Sequence, residues 1–183
     1  ALRVRFLGPV PAPEQLYFRG PVLSNFDGRE WTRLVPRFPA EQRARLNLEV
    51  SGSPLRYEVT LEPSQLPLLP LLEMTPDRPG DAPQIAGWLL THRSDGQWQT
   101  DRPVLERVRV EVNAWLQHQH GPRQDVLGLR DLVDLPPNAN PRTLEWAAAL
   151  RARPDLAGAD ARTLSAAVLQ HIRTGDFTYT LEP

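Results

Sequence analysis

The chain has 183 residues, 40% of them hydrophobic and 23% charged, with a net charge of −1 from 21 cationic and 22 anionic side chains. That length supports one domain, or one domain and part of another, with enough chain to bury a real core. The near-balance of charge argues against a nucleic-acid binder, which needs a basic face for phosphates. The absence of cysteine excludes disulfides, a thiolate nucleophile and Cys-ligated metals.

Residues 2–7 alternate apolar and charged, with Leu2, Val4 and Phe6 on one face and Arg3 and Arg5 on the other, which predicts a half-buried strand. A Pro-rich stretch from Gly8 to Pro13 ends it, and residues 16–20 read as a second strand. An Asp27-Gly28 turn follows, flanked by Phe26 and Trp31. Residues 45–50 and 56–62 alternate on either side of Ser51-Gly52-Ser53-Pro54 and predict a hairpin; residues 87–91 and 98–100 around Ser94-Asp95-Gly96 predict another. Val108, Val110 and Val112 alternate with Arg107, Arg109 and Glu111 in a further strand. Short strands at close intervals, with turn residues between them, predict a mainly β, antiparallel sandwich or barrel over residues 1–130. The 20 prolines, roughly 11% of the chain against a usual share of about 5%, fit that reading as turns and strand ends.

Past residue 130 the pattern changes to a helical extension over 131–183. Asn140 with Pro141 predicts a helix start, with a side-chain cap and proline in the first turn, and the helix runs on to Pro154. A second helix starts near Asp160, should bury Leu164, Val168 and Ile172, and ends at Gly175. The architecture as a whole is therefore α+β, dominated by β.

Among side chains that carry chemistry, His118 and His120 stand two apart and on a strand share a face, where they can chelate a metal; no third ligand is evident, and the pair reads as two solvent-facing histidines. His171 lies beside Ile172 and reads as a boundary residue of the second helix. Tyr17, Phe18, Phe26 and Trp31 read as core around the first turn, with a binding surface as the alternative. Arg19 and Arg29 are expected to pair with Asp27 and Glu30, or else to grip an anion. No Gly-x-Ser-x-Gly elbow and no phosphate-binding glycine loop occurs. No catalytic, cofactor or metal residue is assigned.

Four stretches carry a resemblance. They are Tyr17-Phe18-Arg19-Gly20 followed by residues 26–31, Tyr57 through Glu62-Pro63, residues 135–142 and residues 177–183. In that order they resemble the periplasmic region of bacterial membrane-anchored, TgpA-like proteins with a transglutaminase-like core. The resemblance covers nearly the whole chain and is loosest over residues 64–134.

It implies that flanking membrane helices anchor the parent in the inner membrane, that this segment lies on the periplasmic side, and that a Cys-His-Asp core follows in the same polypeptide. In the parent, a His-activated thiolate forms a thioester from a glutamine-type carboxamide and passes the acyl group to an amine or water. The segment is expected to be cut before the catalytic Cys, since both its ends fall in strand-like sequence, and to be inactive alone. Residues 1–130 are then a β-rich accessory domain that positions the core, and residues 131–183 the helical start of the core itself. The alternative is an independent β-sandwich that binds peptide, glycan or a partner protein. A docking module should leave an apolar face bare near residues 140–183. All 21 cationic side chains are Arg. Codon usage accounts for the missing Lys, as does escape from self-crosslinking beside a transglutaminase.

Overall fold

The structure is a computed structural model that describes residues 1–180 except Leu46, Arg123 and Tyr179. The chain divides into two compact units, Ala1–Leu135 and Pro136–Pro183.

Among the described residues, the first unit holds twelve short strands: β1 (Leu2–Phe6), β2 (Phe18–Arg19), β3 (Asn25–Phe26), β4 (Trp31–Thr32), β5 (Glu49–Ser51), β6 (Leu55–Leu61), β7 (Leu68–Leu69), β8 (Leu71–Leu72), β9 (Leu90–His92), β10 (Trp98–Thr100), β11 (Val108–Ala114) and β12 (Gln117–Gln119). They form antiparallel sheets in the orders β1-β6-β11 and β7-β10-β9, with the two-stranded ribbons β12-β5, β2-β8 and β3-β4. No closed barrel forms among the described residues.

Period-two alternation builds the main sheet. Val108, Val110 and Val112 of β11 are buried while Arg109 and Glu111 are exposed, and β1 repeats the pattern more weakly. Central β6 contributes Tyr57, Val59 and Leu61, and these join Leu69, Leu71, Leu72, Trp98 and the β11 valines in one core. Full burial of each such side chain contributes ~1.5–3 kcal/mol. The hydroxyl of Tyr57, at 0% exposure, lies 3.3 Å from Thr75 Oγ1 and accepts the Leu72 N–H at 3.1 Å, so its one polar atom is satisfied. The Trp98 indole N–H donates to the Thr75 carbonyl at 3.3 Å.

The outer face of the main sheet carries charge in register. Glu58 on β6 stands directly opposite Arg5 on β1, and Arg109 on β11 is its diagonal neighbour. Arg109 donates from Nη2 to Glu58 Oε1 at 2.7 Å, its Nε lies 2.7 Å from Oε2, and Arg5 Nη2 reaches Oε2 at 3.3 Å.

The sequence patterns predict most of these strands but not all of their partners. Residues 49–51 and 55–61 do not form a hairpin. β6 takes the centre of the main sheet, while β5 pairs β12 with Val50 opposite His118. Only Val50 of β5 turns inward, whereas β6 carries three core side chains that need apolar faces on both flanking strands. Leu46, in the expected first arm, lies outside the described residues. The second expected hairpin forms as β9-β10, and the Asp27-Gly28 turn joins β3 to β4 with Gly28 at φ 105°.

Residues 37–43, which include a 3₁₀ turn at Ala40–Gln42, are held against a second 3₁₀ turn at Leu127–Leu132. Arg37 donates from its backbone N to Asp131 Oδ2 at 3.2 Å and from Nε to Oδ1 at 2.6 Å, and its Nη1 lies 2.9 Å from Asp134. A Cβ on Gly128 would stand 2.8 Å from Arg43 Cα and Gln42 O, so only glycine admits this approach. A cavity of about 160 Å³ opens here, lined in part by Leu34, Pro36, Arg43 and Leu132.

The second unit holds α1 (Pro141–Arg151) and α2 (Ala161–Thr174). Pro141 opens α1 as expected, but Asn140 makes no side-chain cap. Its backbone is left-handed (φ 51°), so its carbonyl, not its side chain, receives the Thr143 and Leu144 N–H groups. Asp160 does cap α2, accepting the Thr163 N–H at 2.8 Å, and Gly175 follows its last residue. Leu164 and Val168 are half-buried, but Ile172 is 52% exposed, contrary to the expected burial. Among the described residues, Phe177, Thr178 and Thr180 form no strand; Tyr179 and residues 181–183 lie outside them.

Candidate functional site

The only grouping of three potential metal ligands among the described residues is Glu73, His118 and His120, whose ligand atoms all lie within 4.8 Å of one another. Backbone pairing assembles it. His118 lies within β12 and His120 just beyond it, two apart and hence on one face, with parallel rings 5.9 Å apart at 7°. Glu73 directly follows β8, and its N–H donates to the Tyr17 carbonyl at 3.1 Å, extending the β2-β8 ribbon by one bond. The Trp115 N–H then donates to the Met74 carbonyl at 3.2 Å, drawing residues 73–74 alongside the approach to β12.

Glu73 divides its two oxygens. Oε1 faces His120 Nε2 at 3.3 Å, while Oε2 receives Arg19 Nη2 in a close, largely buried pair. Arg19 lies 5.8 Å from the centroid of the Tyr17 ring, and its buried Nε has no hydrogen-bond partner. The Nδ1 of His118 lies 3.3 Å from the Leu116 carbonyl oxygen, a contact that restrains that ring. His118 and Glu73 are half-buried, and His120 is exposed.

Glu73 is the residue missed from sequence. The pair His118/His120 is visible as a two-residue spacing, but nothing in the local sequence marks Glu73, about 45 positions earlier, as the third member. Arg19 is corrected with it: its partner is Glu73, not Asp27 or Glu30, because β2 pairs with β8. Asp27 instead caps its own turn, accepting the Arg29 and Glu30 N–H groups at 2.8 Å, and these two bonds hold its carboxyl below the usual carboxylate range.

The remaining candidates fall in separate places. Phe18 packs against the core, 6.4 Å from Tyr57, whereas Phe26 and Trp31 stack on each other at 5.0 Å across the β3-β4 turn. Tyr17 and Trp31 are 60% and 54% exposed, so the aromatic group is not one core cluster. His92 stacks on Trp98 at 4.7 Å with its Nε2 buried and unpartnered, and burial pushes its imidazole below the ordinary range. His171 packs against Trp146 (4.9 Å) and edge-on to Phe177 (5.4 Å) within the second unit, and is itself exposed beside the exposed Ile172 rather than at the edge of a buried Ile172. In that unit Leu144, Leu169, Ile172 and Phe177 are each more than half exposed.

The fold and this site define a mainly β, antiparallel domain followed by a pair of helices. The family model described as the TgpA N-terminal domain matches residues 1–120, and the chain belongs to that family. The chain is similar to a protein-glutamine gamma-glutamyltransferase of Pseudomonas aeruginosa, 33% identical over 183 residues that cover 100% of this chain and 25% of that protein. It also matches crystal structures of the periplasmic domain of TgpA from Pseudomonas aeruginosa. The ethylmercury-bound form gives a TM-score of 0.77 at 33% identity, covering 100% of this chain and 59% of that one. A second structure of that domain gives 0.78 at 32% identity, covering 100% and 58%. The chain thus spans a quarter of the curated relative and under two thirds of the solved domain. No helix among the described residues is long and apolar enough to cross a membrane.

Proposed function

We propose that this chain is a non-catalytic part of the periplasmic region of a membrane-anchored, transglutaminase-like acyltransferase. In this reading, the first unit is an accessory module that positions the core. The second unit is the opening of that core, which continues in the same polypeptide with the Cys, His and Asp of acyl transfer. Without a cysteine the chain has no thiolate to form the thioester, so the chemistry belongs to the downstream part of the parent.

The observation that carries the reading is the state of the second unit. Its described buried hydrophobics are Leu150 and Leu156, while Leu144, Leu169, Ile172 and Phe177 stand 51–61% exposed. Two helices with that much bare apolar surface are a fragment of a larger core. The matched relative has ample further length to supply the rest.

The test is amine incorporation by the parent protein, with and without residues 1–135, beside the present chain alone. The chain alone gives no incorporation, and deletion lowers kcat/KM of the parent. Unchanged kcat/KM after deletion refutes the positioning role. Replacing Leu169 and Ile172 together by Ser in the parent should lower its melting temperature sharply, while in the present chain the same change costs little. Equal costs in both refute the docking role of that face.

A further inference from the structure

The geometry points to a binding site for one borderline divalent cation, of the Zn²⁺, Ni²⁺ or Cu²⁺ class, held by His118, His120 and Glu73. The acyl-transfer chemistry proposed for the parent uses none of these residues. The ligand set selects the class: two imidazoles and one carboxylate suit borderline first-row ions, whereas Mg²⁺ and Ca²⁺ prefer all-oxygen sites.

Distances fit with little rearrangement. Bonds of ~2.0–2.2 Å in a tetrahedral site separate ligand atoms by about 3.3–3.5 Å. The Glu73 Oε1 to His120 Nε2 separation is already 3.3 Å. The three ligand atoms fall within 4.8 Å, so closing the site takes at most ~1.5 Å of movement, within reach of the half-buried His118 ring and the exposed His120 ring.

Arg19 is the outer support. It holds Glu73 Oε2 and thereby leaves Oε1 aimed at the imidazoles, the role a hydrogen-bonded partner plays for a metal-ligating carboxylate. Its charge also opposes the ion, so this site is weaker than a closed structural zinc site. Three protein ligands leave a fourth position for water, on the side of exposed His120. A bound ion ties the end of β8 to β12, two ribbons that share no strand pairing.

The experiment is calorimetric titration of the tag-free chain with Zn²⁺ in chelator-free buffer, repeated with Mg²⁺ and Ca²⁺. Co²⁺ absorption reports the ligand type. The expected result is one Zn²⁺ per chain, no Mg²⁺ or Ca²⁺ binding, and affinity reduced about tenfold or more in H118A and in H120A. H171A, outside the site, binds as the wild type does. Zn²⁺ should raise the melting temperature of the wild type but not of the double histidine variant. Because Glu73→Gln also removes the partner of Arg19, the histidine variants decide the matter, provided their circular dichroism matches the wild type. Absence of Zn²⁺ binding at millimolar concentration overturns the site, and so does binding undiminished in the double variant. Neither result touches the accessory-module reading, whose test is amine incorporation.

Discussion

Replacing Tyr57 by Phe isolates one buried hydroxyl and produces a loss of stability that shrinks as pH rises. At neutral pH the hydroxyl accepts the Leu72 N–H and meets Thr75 at 0% side-chain exposure. Removing it leaves a buried donor unsatisfied, at a cost of about 2 kcal/mol. Burial pushes the phenol from the ordinary value near 10 up to about 12, with its two hydrogen bonds opposing only part of that rise. The folded-state pKa is raised, so the wild type keeps the full contribution below about pH 10 and loses it as pH climbs toward 12.

At about 1.4 kcal/mol per pK unit, that rise is comparable in size with the neutral-pH cost. The wild-type advantage over Tyr57→Phe should therefore shrink as pH climbs above 10 toward 12. This chain suits the measurement, since it has no Lys or Cys in that window and the other tyrosines are the same in both proteins. Urea denaturation at pH 7, 10 and 11.5 supplies the numbers. A constant difference between the two proteins from pH 7 to 11.5 refutes the argument.

Leu72→Ala, at 0% exposure in the shared core, should cost ~2–5 kcal/mol in urea denaturation with an unchanged slope. Gly128→Ala should destabilise the first unit beyond the usual surface substitution, because its Cβ meets the backbone of Gln42 and Arg43 at 2.8 Å; differential scanning calorimetry reads the loss. Hydrogen bonds from Arg109 and then Arg5 hold the Glu58 carboxyl below its usual range, so its contribution is present above that range and fades as pH falls through the lowered value. Acid titration followed by tryptophan fluorescence should show Glu58→Gln less stable at pH 7 and converging on the wild type at the lowest pH.

Much of the fold is legible in the chain itself, because burial of one strand face imposes a period of two that survives in the residue order. The β1 and β11 alternations, the β9-β10 hairpin, the Asp-Gly turn and the Asp160 cap are all local, each decided within a few residues. The resemblance to TgpA-like proteins is likewise carried by short stretches in a fixed order.

Partner choice is not local. Whether β5 joins β6 or β12 depends on which apolar faces β6 must cover, and alternation is the same in either pairing. The Asn140 cap fails for a related reason: a residue type favours a cap, but the direction from which the chain arrives sets the backbone angle. The Glu73–His118–His120 cluster is the strongest case. The spacing of the histidines is written in the sequence, yet their third partner is brought in by the β2-β8 ribbon and one backbone bond from Trp115 to Met74. Periodicity records which side of a strand faces the core; only the folded chain, by closing loops of many tens of residues, determines which strands meet and so which side chains share a site.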